Sequence, residues 1–325
     1  MSSDYFSGSA NSSRLHNPFS SAHAPPPSHP GRNFQSRPRL AQKCRRAFSL
    51  LELLVIIAVI VFGTFLFSPV LARTRTNGQA IQCLNNQRQV MEAWMMYAAD
   101  HSDQVANNFG INGTQSEVSS QTYQTWANDI MSWDSYQMNT NVLLLRVGQL
   151  APYLNGKSSV FKCPADNFLS PLQRAAAWTA RGRSISMNSV FGRFSAGSDS
   201  TAQGFNSFLT SYAQYLRLAA VPKPSRTWVV LDEHPDSIND GYFVVDPNSN
   251  QWGDIPASYH NGGCGIAFAD GHSEIRKWIS ATSKLPVRFV YFPVPLDPAG
   301  KLDLQWCLER TGYIDARTGK PAYGY

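Results

Sequence analysis

Residues Phe48 to Phe67 read FSLLELLVIIAVIVFGTFLF, twenty positions in which Glu52 carries the only charge. A helix of that length rises about 30 Å, the thickness of a bilayer's hydrocarbon core. A core helix of a water-soluble domain rarely stays apolar on every face for about five turns. The run therefore predicts a transmembrane segment, placed at 48–72. Lys43, Arg45 and Arg46 abut its N-terminal end, with Arg37 and Arg39 close behind, against Arg73 and Arg75 beyond the other end. This asymmetry predicts a single pass with a cytoplasmic N-terminus and an exported C-terminal bulk.

Charge divides at the same place. Residues 1–47 hold seven basic side chains and one acid, ten Ser and six Pro, whereas the remaining 278 residues carry 21 basic and 21 acidic groups. A segment so poor in apolar residues cannot offset its ordering entropy, so 1–47 reads as a basic, disordered leader. The net charge of +6 belongs to that leader. The body lacks the electrostatic footprint of a phosphate-backbone binder, and no nucleic-acid partner is expected.

Beyond Pro69 the apolar residues Ile81, Leu84, Met91, Trp94, Met95 and Ala98 recur at helical intervals, predicting an amphipathic continuation of the helix over 73–101. From 102 to 325 the chain is rich in Gly, Asn, Ser and aromatics, with short strand-like runs such as Thr227 to Glu233 and Gly241 to Val245. This segment predicts a globular α+β head built on an antiparallel sheet, with the long helix packed against it. In GIAFADGHSEIRKW, Asp270-Gly271 suits a two-residue type I′ turn, which pairs Phe268 with Ser273 and Ile266 with Ile275.

The junction RRAFSLLELLVIIAVI, with Arg45-Arg46, the small residue Ala47, Phe48, and Glu52 fifth in the apolar run, resembles the prepilin N-terminus of type IV pilins and type II secretion pseudopilins. The resemblance implies cleavage between Ala47 and Phe48 by a prepilin peptidase that also methylates Phe48. It further implies a helix kink at Pro69 and an assembly contact between Glu52 and the Phe48 amine of a neighbouring subunit. In the head, SYHNGGCGIAFADGH places His260 nine residues before Asp270-Gly271, similar to the H-X9-DG module at 260–271 of large pseudopilin-like proteins. LAPYLNGKSSVFKCPAD, RSISMNSV and KPSRTWVVLDE resemble the same heads.

The expected function is thus a pseudopilin-like structural subunit of a type II secretion or type IV pilus-like filament. Its partners would be prepilin peptidase/N-methyltransferase and other pilin or pseudopilin subunits. It would reside in a bacterial inner membrane with the head periplasmic. The alternative is an anchored, exported ligand-binding or hydrolytic domain, kept open by a head of about 224 residues counted from Ser102.

Four cysteines follow the leader, Cys83, Cys163, Cys264 and Cys307. An oxidising compartment would permit disulfides among them in any of three pairings, of which Cys83 to Cys163 would tie helix to head. Asp232, Glu233, His234, Asp236, Asp240, His260, Asp270 and His272 raise a metal site as an option. DSINDG at 236–241, however, lacks the alternating oxygen ligands of a calcium loop, and Asp270-Gly271 is explained by a turn. The apparent phosphate loop at 151–158 begins with Ala151 and Pro152, and 192–197 has one residue too many for a nucleophile elbow. No catalytic residue, metal or cofactor is expected.

Overall fold

A computed structural model describes residues 48–291 and 295–324, with backbone alone at 66–75. The leader and Ala47 lie outside the described residues, as does the side chain of Pro69. The architecture is α+β and the chain divides into two compact units, Met1–Ile57 and Ala58–Tyr325.

Helix α1 runs over Leu50–Asp100. Ser49 caps its first turn: the Ser49 hydroxyl accepts from Glu52 N at 3.2 Å, and the Glu52 carboxylate accepts from Ser49 N at 2.9 Å. This reciprocal pair is a capping box, encoded by Ser-Leu-Leu-Glu at 49–52. Among the described residues no helix is long and apolar enough to cross a membrane, which overturns the transmembrane expectation for 48–72.

The second unit is built on a five-stranded sheet of order β3-β1-β2-β4-β5. Its strands are β1 (Ile185–Asn188), β2 (Trp228–Asp232), β3 (Tyr242–Phe243), β4 (Gly263–Phe268) and β5 (Ser273–Lys277). The sheet is mixed, not antiparallel as expected, because β3 joins β1 in parallel while the other pairs are antiparallel. The 53 residues between β1 and β3, which include β2, allow that approach, since a parallel neighbour needs a crossover and not a hairpin.

The β4–β5 hairpin forms at Asp270-Gly271, one residue out of the expected register: Ala267 pairs with Ser273 and Ile266 with Glu274. A type I′ turn needs positive φ at both central residues. Gly271 has φ +93°, whereas Asp270 is not in the left-handed region and instead accepts the His272 amide at 3.1 Å. One left-handed glycine after an aspartate-stabilised turn adds a bulge residue, and a single bulge residue shifts every pair by one.

All six residues of β4 are buried because helices cover both of its faces. On one side α1 packs: a Cβ on Gly271 would come within 2.9 Å of Met95 Cε, and Ser273 Oγ donates to Leu84 O at 3.1 Å. On the other side α2 (Pro298–Thr311) presents Asp303, which pairs with Arg276 of β5 at 3.8 Å. The buried stripe of α1 is Cys83, Gln87, Val90, Met91, Ala93, Trp94, Tyr97 and Ala98, whereas Ile81 is 61% exposed. The stripe is therefore rotated from the apolar spacing and includes two polar groups. The remaining head is loops and short helices stitched by buried polar pairs, among them Arg183 to Asp129 at 2.8 Å and Arg181 to Asp166 at 3.3 Å.

Candidate functional site

At the start of α1, every residue from Leu50 to Phe65 except Gly63 is exposed, Leu50 by 81% and Phe65 by 77%. Phe48 is exposed too, and Glu52 engages Ser49 through both its amide and its hydroxyl, the latter at 3.0 Å. The sequence thus supplies Glu52 with a partner inside its own chain, a role that the Ser-x-x-Glu spacing signals and that the apolar context obscures.

Inside the head, four segments distant in sequence meet. Cys83 comes from α1, Cys163 from the loop after a short 3-10 turn, Asp232 from the end of β2, and His260 from the loop entering β4. Their ligand-type atoms all lie within 4.8 Å of one another, and all four residues are buried. The Cys83 thiol donates to Asp232 Oδ2 at 3.1 Å, Cys163 Sγ lies 3.3 Å from His260 Nε2, and His260 Nε2 lies 3.6 Å from Asp232 Oδ2. Gly265 N–H also donates to Asp232 Oδ2, at 3.1 Å.

Charge is shared across the cluster. Burial would pull the His260 imidazole down, but its bonds to Asp232 and Cys163 outweigh that and push it up to about 9. Burial raises the Cys163 thiol, and hydrogen bonds from Cys83 and His260 bring it below its ordinary value. Cys83 is held well above the thiol range by its bond to Cys163, then by burial and by the Asp232 charge.

A cysteine–histidine–aspartate set invites comparison with a nucleophilic triad, and the geometry rejects it. In a triad the carboxylate holds one ring nitrogen while the nucleophile meets the other. Here sulfur and carboxylate both address Nε2, and Nδ1 has no partner among the described residues. None of the head clefts described below is lined by these four residues. Convergence of several donors on one point is the arrangement of a coordination site.

The other expected site residues scatter. Asp270 and Gly271 serve the turn, and His272 Nδ1 lies 2.6 Å from Asp270 Oδ1 on the surface. Glu233 accepts from Ser237 Oγ at 2.8 Å, His234 Nε2 lies 3.0 Å from Leu285 O, and Asp236 takes the Arg288 and Phe289 amides at 2.7 Å each. Cys83, Cys163, Cys264 and Cys307 are all free thiols. Strand alternation keeps Cys264 apart from Cys83 and Cys163, which share the cluster: Gly265 faces α1 and the cluster, so Cys264 faces away from it.

Sequence reasoning paired cysteine with cysteine and acids with histidines, and so missed a set drawn from both. The signal available was β4 itself, where Gly263 and Gly265 in a strand-like run mark a close approach.

A separate cleft of about 940 Å³ is lined by Trp133, Phe194, Phe289 and Tyr291 together with Asp240 and Asp254. Burial pushes Asp240 up to about 6 and Asp254 up to about 7, the latter helped by its acidic neighbour. Smaller clefts of about 470 and 420 Å³ border His234 and Arg181.

Comparison with protein families, with curated proteins and with solved structures finds no match to this chain.

Proposed function

We propose that the chain is a pseudopilin-like structural subunit, cut between Ala47 and Phe48 by a prepilin peptidase and assembled through the first turns of α1. The observation that carries this reading is the apolar stretch from Leu50 to Phe65, exposed around the whole circumference of the helix. A stripe would call for one neighbour, whereas apolar residues on every face call for several, as in a bundle of identical helices. The prepilin-like junction around Phe48 and the H-X9-DG module at 260–271 support it from the sequence.

The test is intact mass and N-terminal analysis of the full-length protein from a host with prepilin peptidase, beside Glu52→Ala and Ser49→Ala. A chain beginning at N-methyl-Phe48, with self-association lost in Glu52→Ala and retained in Ser49→Ala, meets the expectation. Equal loss in both variants reduces Glu52 to a helix cap, and an uncut N-terminus removes the proposal.

A second reading, a ligand-binding head, is favoured by the aromatic cleft holding Asp240 and Asp254, two carboxyls that burial keeps protonated into the mildly acidic range. Such a surface suits an uncharged polyhydroxylated ligand, which stacks on aromatic rings. Tryptophan fluorescence against an oligosaccharide panel, with Trp133→Ala as control, checks it. A flat response across the panel ends this reading.

A further inference from the structure

We propose that Cys83, Cys163, Asp232 and His260 form a closed, four-coordinate site for a zinc ion that ties helix α1 to the sheet. Zinc takes thiolate, imidazole and carboxylate donors at about 2.0–2.3 Å in a tetrahedron, whose donor-to-donor edges then run about 3.3–3.8 Å. Three of the six edges measure 3.1, 3.3 and 3.6 Å and all four donors lie within 4.8 Å of one another, so the donors stand close enough for a small closure to bring them to coordination spacing. Two sulfurs, a nitrogen and an oxygen favour zinc over magnesium or calcium, which prefer all-oxygen sets of six or more ligands.

Three independent observations point into the same spot. Gln87, fully buried on α1 one turn after Cys83, has neither its Oε1 nor its Nε2 hydrogen-bonded among the described residues. Asp232 Oδ1, the second oxygen of the carboxylate in the cluster, is likewise buried without a partner among the described residues. Gly265 leaves the space: a Cβ there would lie 2.8 Å from Asp232 Oδ2, 2.8 Å from Gln87 Nε2 and 2.9 Å from Cys83 Sγ. Unsatisfied buried polar atoms are costly, and gathering them with two thiols against a glycine that permits so close an approach makes sense when an ion holds the donors together.

The ligand count is complete from the protein, and the site is sealed, so the ion's role is structural. Binding displaces to solvent the thiol protons of Cys83 and Cys163 and the Nε2 proton of the His260 imidazolium, leaving two thiolates, a carboxylate and a neutral imidazole. A disulfide between Cys83 and Cys163 is the competing use of the same sulfurs.

The experiment is metal analysis of the full-length protein purified without chelator, followed by cobalt substitution. About one zinc per chain is expected, and the cobalt form is expected to show the thiolate charge-transfer band and the intense visible bands of tetrahedral geometry. Cys163→Ser and His260→Asn should lower bound zinc at least about tenfold, whereas Cys264→Ser, the neighbour facing away, should keep it. If the ligand variants do not fold, the wild-type cobalt spectrum alone decides. Absence of metal, an octahedral cobalt spectrum, a Cys83–Cys163 disulfide in the mass, or zinc retained in Cys163→Ser would each overturn the proposal. Glu52→Ala leaves this readout untouched, so failure here and failure of filament assembly remain distinguishable.

Discussion

Between Leu50 and Phe65, α1 leaves apolar side chains bare on every face, whereas between Cys83 and Ala98 the same helix buries Gln87 and a thiol among Val90, Met91 and Trp94. Each stretch holds the wrong chemistry for its surroundings when read as an isolated chain. Apolar area in water is relieved by neighbours of the same kind, and polar atoms in a core are relieved by partners that satisfy them. The contrast teaches that exposure of one sort and burial of the opposite sort both mark contacts still to be made.

The sharpest way to break that contrast is at the bare end. Ile56→Asp combined with Ile60→Asp is expected to convert self-associated protein to monomer in sedimentation velocity, while the head's thermal transition stays where it was. A double variant that still associates would locate the interface elsewhere. At the buried end, Asp232→Ala strands an imidazole in the interior, and removal of one partner from a buried charged pair costs about 3–5 kcal/mol. Urea unfolding of the two chains should show that loss, and Cys264→Ser should lose far less.

Gly265→Ala tests whether the clearance matters: overpacking of this kind costs about 1–3 kcal/mol. An unchanged midpoint would mean that Cys83 and Gln87 move aside freely. The smallest expected effect concerns pH. Asp254 and Asp240 are raised to about 7 and 6 in the fold against 3.8 ordinarily, so the folded state binds more protons than the unfolded one between about pH 4 and 7. Stability from these groups is present at low pH and lost as pH rises through that window. Asp254→Asn, which keeps an acceptor for the Val244 amide, should therefore raise Tm at pH 8 by about 2–4 °C and leave it nearly unchanged at pH 4. Equal shifts at both pH values would contradict the assignment.

What was legible in the sequence was local. The helical period after Pro69 reveals the helix, but the face it buries is set by Cys83 and Gln87, which an apolar count passes over. Asp270-Gly271 announces a hairpin, yet its register depends on whether one or both turn residues take positive φ, a choice made by the His272 amide reaching the Asp270 carboxylate. The capping box at 49–52 was written in plain spacing and was masked by the apolar run around it. The four-residue cluster has no spacing at all, since its members lie at 83, 163, 232 and 260 and only tertiary folding makes them neighbours.

That scatter along the chain sets an order of events during synthesis. Two thiols and a carboxylate are synthesised before residue 260 is added, so the growing polypeptide carries three quarters of the cluster with its last corner missing. The histidine arrives just ahead of β4, the strand that the cluster abuts, and the arrival of one stretch of chain closes the sheet and the cluster together. A product truncated between Cys163 and His260 would keep both cysteines of the cluster without the histidine that completes it.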